Sequence, residues 1–131
     1  GQVLTNLLAN AADALTEKAR VMKDNGDGGF VGHVSIVSEP REREGDAGIL
    51  VVISDNGDGV PENIRDNIFE HFFTTKPVGV GTGLGLGICS DIVREHGGML
   101  SVAEDEKLGG ARFEMWLPMN PIESNRVVLN S

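Results

Sequence analysis

Residues 72 to 98 read FFTTKPVGVGTGLGLGICSDIVREHGG, with Gly79, Gly81, Gly83, Gly85 and Gly87 at alternate positions and a helical pattern directly behind them. Glycine is costly to order and weakens any helix that contains it, so this run implies that something comes very close to the backbone. A plain linker would not interleave Leu84 and Leu86 and then become amphipathic. Successive glycine N–H groups opening a helix form a nest for an anion, and a phosphate suits it. Neither a Walker A triplet nor a G-x-G-x-x-G register fits the run. Thr75, Lys76 and Thr82 add donors from the same loop.

Two further groups carry chemical potential. In the first segment Asn6, Asn10, Asp13 and Glu17 fall within about 60° of one another at helical spacing, a polar stripe on an apolar cylinder. Gln2 and Arg20 extend that stripe, as a solvent face would. Asn is a poor helix former for a surface, however, and two short amides one turn apart suit a wall facing a hydrated cation. The second group is ILVVISDNGDGV, where Asp55 emerges from an apolar strand beside Gly57 and Gly59. Asn-Gly and Asp-Gly are also good hairpin turns, but Pro61 and a helical pattern follow them instead of a second strand. An EF-hand reading of DNGDG fails, because its third position is glycine and the terminal Glu spacing is missing.

The elements that must position these residues follow from periodicity. A long helix is expected over residues 2 to 23, a strand in VGHVSIVSE, and a near-continuous apolar strand in ILVVIS, buried on both sides. A short helix from Pro61 to about His71 comes next, then the glycine loop, a helix from about Leu84 ending at the Gly97-Gly98 pair, and two strands in MLSVAED and ARFEMWLPM. This order implies an α+β sandwich of two layers, a mixed sheet covered on one face by helices. Residues 1–118 form one domain in this reading, and residues 119–131 a tail or linker.

The 131 residues fit a single core. Twenty acidic against eleven basic residues, a net charge of -9, argue against a nucleic-acid binder, though a divalent cation and backbone N–H groups still allow one small polyphosphate. No apolar run is long enough to span a bilayer, and a lone Cys89 fits a reducing, cytoplasmic setting. The first residues enter an apolar pattern without an initiator Met, so a longer parent is expected.

In order, NLLANAADAL, DNGDGV, FEHFFTTK and GTGLGLGICSDIVREHGG resemble the N, first G, F and second G boxes of the ATP-binding catalytic domain of sensor histidine kinases, with GGARFEMWLP similar to its closing strand. The likeness covers nearly all of residues 2 to 118 and is nearest to the nitrogen-regulatory and dicarboxylate-sensing type. It implies the Bergerat fold, a mixed sheet of about five strands backed by three main helices, with ATP between the helix layer and a lid over residues 72 to 83.

On this resemblance Asn10 would coordinate Mg²⁺, Asn6 would support the metal and phosphate network as the second catalytic amide, and Asp13 would stand at the rim. Asp55 would accept the adenine amino group, Gly57 and Gly59 would admit the ring, and Val60 and Ile68 would wall it. Gly81, Gly83 and Gly85 would offer N–H groups to the phosphates, assisted by Thr75, Lys76 and Thr82, while Leu84 and Leu86 close the lid and Phe69 and Phe72 anchor it. Ala111 stands where many relatives have Ser or Thr.

Chaperone, mismatch-repair and gyrase ATPases of the same fold carry Glu four residues before the metal-binding Asn, where this chain has Asn6. Without that carboxylate, water activation is disfavoured and transfer to a protein acceptor is expected. None of the three histidines resembles the acceptor: His33 falls in a strand, His71 at the lid, and His96 before the glycine cap. The expected partners are therefore a phosphoacceptor His domain of the same protein, acting in cis or across a dimer, and a response regulator. This chain alone is not expected to phosphorylate itself. No nucleic acid and no direct membrane contact are expected, although the parent is compatible with membrane anchoring. A nucleotide-sensing module without phosphoryl transfer, or an ATPase of this fold, are the alternatives.

Overall fold

The computed structural model describes residues 2–70 and 85–119. Helix α1 spans Gln2–Asp24 and buries Leu7, Ala11 and Leu15, the inward stripe that their spacing of four predicts. It ends where Gly26 takes φ 92° and Asp27 N–H returns to Met22 O at 2.8 Å. Strand β1 is Val34–Pro40 and strand β2 is Gly48–Asp55. A 3-10 turn at Glu62–Ile64 follows, then helix α2, Gly85–Glu95, and strands β3, Met99–Glu104, and β4, Ala111–Pro118.

The strands form one sheet in the order β1-β2-β4-β3, with every pairing antiparallel. Thus the expected α+β class stands, and the described residues form four antiparallel strands and two α-helices. Short turns at residues 41–47 and 105–110 join β1 to β2 and β3 to β4, and such turns permit only antiparallel neighbours. Both helices pack on one face, where Leu7, Ile53, Ile68, Ala111 and Phe113 form the core. The other face carries Leu50, Val52 and Trp116. The Trp116 ring lies over Gly48, where any Cβ would collide with it, and Nε1 donates to Arg41 O at 2.8 Å.

Three local expectations are corrected. β1 starts at Val34, so His33 precedes the strand and is exposed. Ile49 in β2 is 40 % exposed, although the strand is buried from Val52 onward. The helix expected after Pro61 is a 3-10 turn continued by further turns, with Ile64 N–H on Pro61 O and Asn67 N–H on Ile64 O. Asn63, Asp66 and Asn67 are weak helix formers, and i to i+3 bonding prevails over so short a span.

Candidate functional site

Asp55 is the last residue of β2 and is only 3 % exposed. Its Oδ1 accepts the N–H of Gly57 at 2.9 Å and that of Ala111 at 3.1 Å. Asp55 O accepts Gly110 N–H at 3.1 Å, so the end of β2 is clamped to the start of β4 through side chain and backbone. Both hydrogen bonds seen at this carboxylate fall on Oδ1, which leaves Oδ2 as an acceptor for a ligand N–H. Such a group, fixed by backbone donors at a strand end, is poised for recognition.

The glycines around it answer to space or to backbone conformation. A Cβ at Gly57 would stand 3.1 Å from Asp55 Oδ1, with Leu15 and Ala14 behind it. Gly59 has φ 78°, which a side chain would strain. A Cβ at Gly110 would run into the Asp55 carboxylate and stand 2.6 Å from Gly57 N. Sequence reasoning missed Gly110 because LGG reads as a turn signal; its role appears only once β4 is docked. Ala111, noted for lacking a hydroxyl, reaches Asp55 through its backbone N–H.

Beside this strand end runs α1. Ala14 and Leu15 back onto Gly57, and Asn10, half-buried, lies one turn before Ala14, about 6 Å along the axis. The stretch of α1 beside the end of β2 is thus the turn of Ala14 and Leu15, directly after that of Asn10. Asn6 is half-buried one turn further along, close to Cys89 of α2, whose thiol donates to Val3 O at 3.9 Å. Burial pushes the Cys89 thiol up from its ordinary pKa, and the Asn6 contact partly offsets this. Asp13 is exposed on the same helix.

Val60 and Leu86 pack against the core cluster that contains Ile68, and Phe69 meets Phe113 edge to face at 6.3 Å. Gly85 opens α2. Thr75, Lys76, Gly81, Thr82, Gly83 and Leu84, with Phe72 and His71, lie outside the described residues. His96 Nδ1 donates to Ile92 O at 2.8 Å in the last turn of α2. At the far side of Asp55, the buried Asp105 is held below the usual carboxylate range by the Leu108 N–H first, then by Ser54, Arg112 and Lys107, against its burial.

With that geometry in hand, the chain can be set beside known proteins. Residues 1–121 match the family of histidine kinase-, DNA gyrase B- and HSP90-like ATPases. The chain belongs to this family. It is 38 % identical over 119 residues to the sensor histidine kinase ZraS of Escherichia coli O157:H7, covering 91 % of this chain and 22 % of that protein. The sensory histidine kinase/phosphatase NtrB of Azospirillum brasilense is 34 % identical over 120 residues, 90 % of this chain and 28 % of the relative. The chain thus spans about a quarter of the length of these curated relatives. Among solved structures, a mycobacterial sensor histidine kinase, MprB, superposes with a TM-score of 0.65 at 29 % identity, over 92 % of this chain and 70 % of the other. The nucleotide-free catalytic domain of histidine kinase ThkA gives 0.60 at 35 % identity, over 89 % and 64 %. The ATP-binding catalytic domain of a sensor histidine kinase is therefore the type to which this chain conforms.

Proposed function

We propose that the chain binds ATP·Mg²⁺ and donates the γ-phosphoryl group to a histidine on a separate phosphoacceptor domain of its parent protein, in cis or across a dimer, with a response regulator downstream. The observation that carries this reading is the Asp55 carboxylate at the end of β2, fixed on one oxygen by the N–H groups of Gly57 and Ala111.

In this reading Asp55 Oδ2 accepts the adenine amino group, Gly57 and Gly59 admit the ring, and Val60 and Ile68 form its apolar wall. Asn10 offers a hard amide oxygen of the kind Mg²⁺ takes alongside phosphates and waters, and Asn6 and Asp13 support that edge. When bound, Mg²⁺ neutralises charge on the β- and γ-phosphates. Gly81, Gly83 and Gly85, with Thr75, Lys76 and Thr82, hold those phosphates, and Leu84 and Leu86 close over them; all but Gly85 and Leu86 lie outside the described residues. The amide of Asn6 cannot take a proton from water, so hydrolysis is slow and the acceptor's own domain supplies the base.

One domain over residues 1–118, a tail over 119–131, and the fuller fold of five strands and three main helices go with this reading. No helix among the described residues is long and apolar enough to cross a membrane. We place the domain in the cytoplasm, with neither nucleic acid nor membrane as a direct contact.

Isothermal titration with ADP and with ATP·Mg²⁺ tests the assignment. Asp55→Asn should weaken binding by roughly 10- to 100-fold, the worth of one charge-assisted hydrogen bond. An unchanged dissociation constant would remove Asp55, and the proposal with it.

A further inference from the structure

Lys18 belongs to none of the four motifs, yet it is the side chain that ties α1 to the loop following Asp55. It lies two turns beyond Asn10 on α1, with a side chain only 23 % exposed. Its Nζ donates to Asn56 O at 3.1 Å and to Gly57 O at 3.4 Å, and it pairs with Asp58 Oδ1 at 3.5 Å. The ammonium also stands over the Phe30 ring, 5.0 Å from its centre. One cation thus gathers three successive residues of the loop that leaves β2. On the loop's other side, the Asn56 side chain accepts His33 N–H at 2.7 Å and donates to Val31 O at 2.9 Å. The Asn56 carbonyl that Lys18 holds belongs to the same peptide group as the Gly57 N–H that bonds Asp55 Oδ1.

We infer that Lys18 is a positioning residue for adenine recognition: by holding the Asn56 and Gly57 carbonyls against α1, it sets where the Asp55 carboxylate meets the ring. The inference rests on the nucleotide reading above and deepens it. A carbonyl–ammonium bond in a partly buried seam is charge-assisted, so its loss frees the loop in a way an ordinary surface pair would not. The Asp58 contact contributes little, since that carboxylate is 81 % exposed. Lys18 acts on the purine end and not on the phosphates, so its effect should not depend on the divalent cation or on the number of phosphates.

The test uses the 131-residue chain, titrated calorimetrically with AMP, ADP and GDP, with and without Mg²⁺. Lys18→Met keeps the aliphatic stem and loses the donors. It should weaken AMP and ADP alike by about 10-fold, with or without Mg²⁺, while GDP affinity stays as it was, because the 6-oxo group of guanine gains nothing from the placement of Asp55. Lys18→Arg should recover most of the loss. Equal ADP affinity in wild type and Lys18→Met overturns the inference and leaves the nucleotide reading standing. So does a loss confined to ADP with Mg²⁺, or an equal loss for ADP and GDP, which would mark general loosening. A wild-type chain that takes up no adenine nucleotide sinks both. If Lys18→Met unfolds below the titration temperature, Lys18→Gln, which can still reach one carbonyl, replaces it. An intermediate loss of the ADP-to-GDP preference then supports the inference, and an unchanged preference overturns it.

Discussion

At the scale of single residues, the site is built by backbone donors as much as by side chains. Asp55 takes its position from two N–H groups and from the absence of Cβ atoms at Gly57 and Gly110. Gly110→Ala should therefore act through its neighbour. A Cβ there meets the Asp55 carboxylate, and relief requires either the carboxylate or the hairpin to shift, which costs about 1–3 kcal/mol of stability. ADP affinity should fall at least as far as in Asp55→Asn, and titration with denaturant melts alongside separates the two effects. Asp55 was legible in the sequence because an acidic residue between an apolar strand and two glycines has few structural uses. Gly110 and Lys18 were not, since their meaning depends on which segment lies opposite, and in sequence their partners are 55 and 38 positions or more away.

At the scale of elements, the β3–β4 hairpin is fastened by Asp105. Its Oδ2 accepts Leu108 N–H at 2.7 Å, its backbone pairs with Gly109 and Gly110, and its side chain stands close to Ser54, the neighbour of Asp55. The folded state thus holds this carboxylate below its ordinary pKa of about 3.9. A lowered carboxylate contributes stability that is present above the unfolded value and is lost as pH falls through the folded one. Urea melts between about pH 2 and 7 should show Asp105→Asn costing about 1–2 kcal/mol near neutrality, with a flatter decline than wild type below about pH 4. An identical acid slope in the two proteins would assign that sensitivity elsewhere. Both helices and the last three strands were readable from periodicity to within a residue or so. The turn after Pro61 was not, because a proline, three apolar residues and several acids satisfy a helical pattern without the length to sustain one.

For the whole molecule, stability is concentrated in the layer between helices and sheet. Leu7 is fully buried against Ile53, Ile68 and Phe113, whereas Val37 in the edge strand β1 is 54 % exposed. Leu7→Ala should cost about 2–5 kcal/mol in denaturant melts and Val37→Lys within about 0.5 kcal/mol; comparable losses would mean that β1 shares the core. Alternation in VSIVS could not reveal this, because an edge strand and an inner strand share the same pattern while differing in their neighbours. The pairing of Asp55 with Ala111 joins positions 56 apart in the chain. Contacts that close so long a loop come late in folding. A chain in which β4 has not yet docked would therefore have the acid but not its orientation, and the carboxylate would gain its fixed position only when that strand pairs with β2.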